Sequence, residues 1–143
     1  MAKLIYENRF ILTRKLHKEY YRARYRKLHF RWIFFFGYRL REWVNYRRLQ
    51  DEHGKAVVNI VRFDSDRIHV RVNTTSFYFK YSTITETEET EELLLLYLRE
   101  EGMATHVQLL WKGGFTGHPP LEEVKAYLNK RSGKELFELT AER

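Results

Sequence analysis

Residues 93–98 read Leu-Leu-Leu-Leu-Tyr-Leu, with Glu91 and Glu92 before them and Arg99, Glu100 and Glu101 after. A short apolar run closed by charge at both ends reads as a strand buried on both faces. On either side of it the sequence alternates with a period of two. After the turn at Glu101-Gly102, Val107, Leu109 and Trp111 alternate across Thr105–Trp111, and Gly113 and Gly114 break the strand. Before it, Phe77, Phe79 and Tyr81 alternate with Tyr78 and Lys80. In Arg67–Asn73, Ile68, Val70 and Val72 take one face and Arg67, His69 and Arg71 the other. That is the pattern of a half-buried antiparallel strand. Val57–Phe63 reads as a further strand, joined to it by the turn Asp64-Ser65-Asp66.

The acidic run Thr85–Glu92 carries Glu86, Glu88, Glu89, Glu91 and Glu92. It lacks the Asp, Asn and Gly spacing of a calcium loop, and we expect a solvated turn between strands. Its charge could also pair with a basic segment elsewhere in the chain. Pro119 and Pro120 then sit where a helix can start, because the first turn has no partners for its N–H groups. Glu122 and Glu123 suit the positive end of that helix, Lys130 and Arg131 the negative end, and Gly133 can stop it. Leu121, Val124 and Leu128 form its buried stripe.

At the other end of the chain, Tyr6–Leu12 is an extended piece and Thr13 a helix N-cap. Tyr21, Tyr25, Leu28 and Trp32 recur at helical spacing, with Arg22, Arg24, Arg26 and Lys27 on other faces. Gly37 interrupts the run. A second helical stretch spans roughly Arg39–Leu49, with Leu40, Trp43 and Val44 on one side. The expected fold class is therefore α+β: an antiparallel sheet closed by a C-terminal helix, with an N-terminal strand and a basic helical pair. Residues 1–50 form the strand and basic helices, and residues 51–143 the sheet and closing helix.

The helical pair holds the positive charge. From Arg14 to Arg48 there are twelve Lys or Arg and two acids, Glu19 and Glu42, a net +10 in a chain whose total is +7. Eleven aromatic rings lie among these charges, from Tyr20 to Tyr46. Three partners suit such a segment: anionic lipid headgroups, nucleic acid, or the protein's own sheet. The chain is long enough for one domain with a real core, and its 43% hydrophobic content argues against general disorder. It has no cysteine, which excludes disulfides and thiolate metal sites. Met1–Phe10 has no apolar signal region, and the longest apolar run, Trp32–Tyr38, is far short of the ~20 residues of a spanning helix. As written, we expect a soluble chain.

Four stretches resemble the YcxB-like family of small bacterial membrane proteins. They are Phe10-Ile11-Leu12-Thr13 with the Tyr-Arg-x-Arg-Tyr-Arg-Lys of residues 21–27; Phe77-Tyr78-Phe79-Lys80-Tyr81-Ser82-Thr83-Ile84 with Glu86; Leu95-Leu96-Tyr97-Leu98; and Lys112-Gly113-Gly114-Phe115 with the helix at Leu121–Lys130. The resemblance implies a cytosolic strand and helix, two membrane-spanning helices, and a cytosolic sheet domain similar to pleckstrin-homology-type modules. Trp32–Tyr38 stands where the two spans belong, with Arg24–Arg31 before it and Arg39–Arg48 after. A hairpin with both ends in the cytoplasm leaves such flanking charge. We therefore expect a hairpin cut out and its ends joined near Gly37, the alternative being a naturally short homologue. A gene encoding no hairpin at this point contradicts that expectation.

Catalytic signals are absent from the sequence pattern. No G-x-S-x-G elbow or Walker lysine occurs, and Gly113-Gly114-Phe115-Thr116-Gly117 reads as a strand-to-helix connection. His17, His29, His53, His69, His106 and His118 lack metal-ligand spacing and read as isolated surface histidines. We expect no enzyme, no cofactor and no metal. The resemblance implies the cytosolic face of the inner membrane. Candidate partners are an anionic membrane surface, an unidentified protein, a second copy of the chain or, as the alternative, nucleic acid. The expected membrane or anion surface is Arg24, Arg26, Lys27, Arg31, Arg39, Arg41, Arg47 and Arg48, with Trp32 and Trp43 as interface anchors.

Overall fold

In the computed structural model, residues 3–26, 42–49, 57–102 and 104–139 are described, residues 24–26 as backbone alone. Among the described residues seven strands form two antiparallel sheets. The first has the order β1 (Leu4–Ile11), β2 (Val58–Asp64), β3 (Ile68–Val72), β4 (Thr75–Phe79); the second has the order β5 (Ile84–Glu89), β6 (Leu93–Leu98), β7 (His106–Trp111). Helix α1 (Arg14–Arg26) follows β1, residues 42–49 form helix α2, and α3 (Leu121–Ser132) closes the fold. The α+β class and the antiparallel pairing stand as expected, but two sheets replace the single one. Tyr81–Thr83, a single 3-10 turn, ends the first and starts the second.

β6 explains the layering. All six of its residues are buried. Leu94, Leu96 and Leu98 pack with Val61, Phe63, Ile68 and Val70 of the first sheet and with Val124 and Leu128 of α3. Leu93, Leu95 and Tyr97 point the other way, into a second cluster with Phe10, Leu12, Leu16 and Ala23. The second sheet is thus a middle layer, with the first sheet and α3 on one side and α1 on the other. Thr13 starts α1 by accepting the Leu16 N–H at 3.3 Å, the cap its sequence position implied. Gly133, at φ +71°, ends α3 in the left-handed conformation that favours glycine.

Residues 84–89 correct the expected acidic turn: they form β5, paired with β6 from Ile84↔Leu98 to Glu89↔Leu94. Its side chains carry no apolar alternation, so backbone pairing to an apolar neighbour holds it. Ile84 alone is fully buried, and Thr87 donates to the Leu136 carbonyl at 2.7 Å. The turn itself is Thr90–Glu92, where Glu19 of α1 accepts from the Thr90 hydroxyl at 2.8 Å. β1 likewise crosses the boundary drawn at residue 50, because it pairs with β2 along its length, Ile11↔Val58 to Leu4↔Asp64.

The two sheets meet at one corner through Asn8. Its side chain is fully buried on β1. Asn8 Nδ2 donates to the Trp111 carbonyl at 2.8 Å, and the Trp111 N–H donates to Asn8 Oδ1 at 3.1 Å. The amide exchanges both bonds with β7 as a paired strand residue does. The Thr116 N–H then donates to the Glu7 carbonyl at 2.9 Å. Gly114 allows this approach, since a Cβ there would stand 2.5 Å from the Arg9 carbonyl oxygen. Replacing Asn8 by Ala leaves a buried N–H and C=O without partners, at a cost of about 2–4 kcal/mol. Urea unfolding followed by tryptophan fluorescence measures this; a loss under about 0.5 kcal/mol contradicts the role of the amide.

Candidate functional site

The two acids of the basic segment both turn inward. Glu42 on α2 is 3% exposed and His17 on α1 is 1% exposed. His17 Nδ1 lies 2.8 Å from Glu42 Oε2, and Nε2 lies 2.9 Å from Asn45 Oδ1. Arg14 reaches the other carboxylate oxygen at 3.4 Å. A buried carboxylate is tolerable only when paired in this way. Aromatic rings enclose the cluster: Tyr21, Tyr46 and Tyr20 have centroids 4.9, 5.3 and 6.1 Å from the imidazole. His17 is therefore no surface histidine. It is the polar joint between α1 and α2. Glu19, the second acid, is held at the Thr90–Glu92 turn, where it also accepts the Glu92 N–H at 3.3 Å.

With Glu42, Asn45 and Tyr46 facing α1, the opposite side of α2 presents Trp43, Val44, Arg47 and Arg48. Trp43 is 42% and Val44 50% exposed, and both arginines are exposed. The Arg47 guanidinium lies 5.3 Å from the Trp43 ring centroid, a cation–π distance. On α1, Arg14, Lys18 and Arg22 are exposed at steps of four residues, beside Lys15. Tyr46 and Leu49 of the second helix pack toward the core, while Trp43 and Val44 are turned away from it and lie among positive charges.

Of the residues expected at this surface, Trp43, Arg47 and Arg48 come together on one face of α2. Arg24 and Arg26 lie in the last turns of α1, where the backbone alone is described. Lys27, Arg31, Trp32, Arg39 and Arg41, and the join expected near Gly37, lie outside the described residues. Sequence reasoning set Arg22 off the apolar face but left it, with Arg14 and Lys18, out of the expected surface; their four-residue spacing was the available signal.

Two further clusters hold titratable groups. Glu89 on β5 accepts from Lys112 at 2.7 Å and from Lys125 of α3 at 2.5 Å. Burial pushes Glu89 up, but the two lysines outweigh it and hold the carboxyl below the usual range. His106 on β7 is half-buried, not a surface residue: it stacks on Phe79 at 5.3 Å and meets the Phe77 edge at 5.2 Å. Burial lowers its pKa, opposed in part by the hydrogen bond to Gln108. Among the described residues no three His, Asp or Glu side chains gather as metal ligands, and no helix is long and apolar enough to cross a membrane. No family model, curated protein or solved structure matches the chain.

Two outcomes follow from these contacts. Replacing His17 by Ala leaves the Glu42 carboxylate short of its closest partner and destabilises the protein by about 3–5 kcal/mol. The double replacement with Glu42→Ala costs less than the sum of the singles by about 0.5–3 kcal/mol in urea titrations, and strict additivity contradicts the joint. For His106 the folded pKa lies below the ordinary 6.5, so the unfolded chain takes up the proton first. Its contribution is complete above pH 6.5 and is lost as pH falls through that value toward the folded pKa. The urea midpoint therefore drops between pH 7 and pH 5, and the drop is shallower in His106→Phe.

Proposed function

We propose that the chain is a non-enzymatic module of the YcxB-like type that rests on an anionic membrane surface through the outward face of its helical pair. The observation that carries this is the orientation of α2. Its acid is spent inside on His17 and Arg14, while Trp43, Val44, Arg47 and Arg48 point out together. Lysine and arginine near an anionic leaflet each gain on the order of 1 kcal/mol, and tryptophan settles at headgroup level. Four-plus-three strands closed by a C-terminal helix support a pleckstrin-homology-type sheet module. Such a module works through surfaces rather than bond-making groups.

One observation favours nucleic acid as the alternative. On the outer face of the first sheet, the Tyr78 ring stacks on His69 at 4.5 Å and 15°, and the Arg67 guanidinium lies 4.0 Å from the same ring. Flat groups beside arginines suit stacked bases and phosphates.

Vesicle co-sedimentation separates the two. Binding to acidic but not neutral vesicles, weakened by salt and not displaced by single-stranded RNA, is the expected result. Arg47→Glu with Arg48→Glu removes about 2 kcal/mol or more, roughly a 30-fold loss of vesicle affinity, with the unfolding midpoint unchanged. Displacement by RNA transfers the role to nucleic acid, and wild-type vesicle binding by the double variant rejects the α2 surface.

A further inference from the structure

Four strands end a sheet: β1 and β4 in the first, β5 and β7 in the second. Edge strands offer unpaired N–H and C=O groups to any strand laid beside them, and proteins cover or charge such edges. Three of the four are protected. β1 and β7 are tied together by the Asn8 amide and Trp111. β5 carries three glutamates, and the segment after α3 lies on it, with Lys134 Nζ donating to the Ile84 carbonyl at 2.7 Å. β4, Thr-Ser-Phe-Tyr-Phe, has no charge, no proline and an unbroken register, and β3 is its one strand neighbour among the described residues.

The outward backbone groups of β4 can be named. The two-residue turn Asn73-Thr74 makes Val72↔Thr75 a hydrogen-bonded pair, so Val70↔Phe77 and Ile68↔Phe79 are hydrogen-bonded as well. Phe77 therefore spends its N–H and C=O on β3, while Ser76 and Tyr78 aim theirs at the open edge. Beside that edge is a cavity of about 320 Å³ whose lining includes Phe77, Tyr78, Phe79, Leu98, Glu100 and His106.

We propose that β4 pairs with β4 of a second copy, antiparallel about a two-fold axis through Phe77, to give one continuous eight-stranded sheet. Ser76 of each copy then exchanges both backbone bonds with Tyr78 of the other. Phe77 meets its counterpart as the close, non-hydrogen-bonded pair, over the two cavities. The occupant is a second copy because the other edges are closed. Edge pairing between copies can then use β4 alone, and such a contact is self-complementary and ends at two. None of the strand's own side chains is charged, and the nearest charges, Arg67 over Tyr78 and Glu100 by the cavity, are of opposite sign. Arg71 of β3 stands at least three strand spacings from its counterpart, about 14 Å, beyond the ~8–10 Å screening length, while the Arg67 guanidinium lies over the Tyr78 ring on the outer face of the sheet. This pairing is independent of any membrane role.

Sedimentation velocity on the full chain from about 1 μM to about 1 mM is the test, paired with amide exchange at both ends of that range. The expected result is a shift from monomer to dimer as concentration rises. The Ser76 and Tyr78 amides gain protection with it, and those of Phe77 and Phe79 do not. Ser76→Pro removes an outward N–H without touching the β3 ladder, and Tyr78→Lys places charge on the edge. Each raises the concentration for half-assembly at least about tenfold. A monomer at every concentration, an assembly larger than two, or a dimer with Ser76 and Tyr78 still exchanging freely overturns the proposal. So does a dimer indifferent to whichever variant folds.

Discussion

A strand that is dry on both faces needs cover on both sides, and the rest of this structure answers that need. Leu94, Leu96 and Leu98 are met by the first sheet and by α3, and Leu93, Leu95 and Tyr97 by the cluster that α1 enters. Each fully buried leucine contributes on the order of 1.5–3 kcal/mol. The N-terminal helix is therefore part of the fold, and its basic residues are carried on the side that remains. Since α2 is joined to α1 through a buried hydrogen-bonded cluster, its own outward side becomes surface by the same logic.

Side-chain amides do much of the joining where sheet hydrogen bonding stops. Asn8 connects β1 to β7 with a pair of bonds. Asn129 of α3 does the same for the C-terminal segment, donating to the Phe137 carbonyl at 2.8 Å and accepting its N–H at 2.9 Å. Asn73 accepts the Val58 N–H at 2.8 Å while its own N–H donates to the Val58 carbonyl at 2.9 Å. A primary amide carries a donor and an acceptor at the spacing of a peptide group, so it can stand in for a strand residue without the strand. The β1 and β7 edges that Asn8 joins are closed to other chains, and β4 is the contrast.

Parts of this organisation are visible in the sequence, for physical reasons. Ile68, Val70 and Val72 alternate because one face of their strand meets the core. The run at 93–98 does not alternate because both faces do. Pro119, Pro120 and Gly133 punctuate α3 through their own backbone limits. Residues 84–89 are illegible by the same rule: a polar edge strand buries little, so no period of two appears in Ile-Thr-Glu-Thr-Glu-Glu. The split into two sheets turns on one short 3-10 turn that no composition signal marks. His17 and Glu42 are 25 residues apart, and neither has a neighbour in sequence that foretells the other. Trp43 was expected at a surface because of the arginines around it; that Tyr46 and Leu49 take the inward side was not legible, since a helix shows its packed face only through its partner.

The functional account rests on the outward direction of Trp43. Trp43 lies beside Arg47 and Arg48 on a face that the core does not need, so its ring should enter the headgroup region when the protein meets an acidic bilayer. The most direct measurement is the Trp43 emission, taken as the difference between the wild-type protein and Trp43→Phe, with acidic vesicles carrying brominated lipid. A blue shift with quenching by the bromines is expected. Emission that stays red and unquenched while the protein is vesicle-bound contradicts a membrane role for this face.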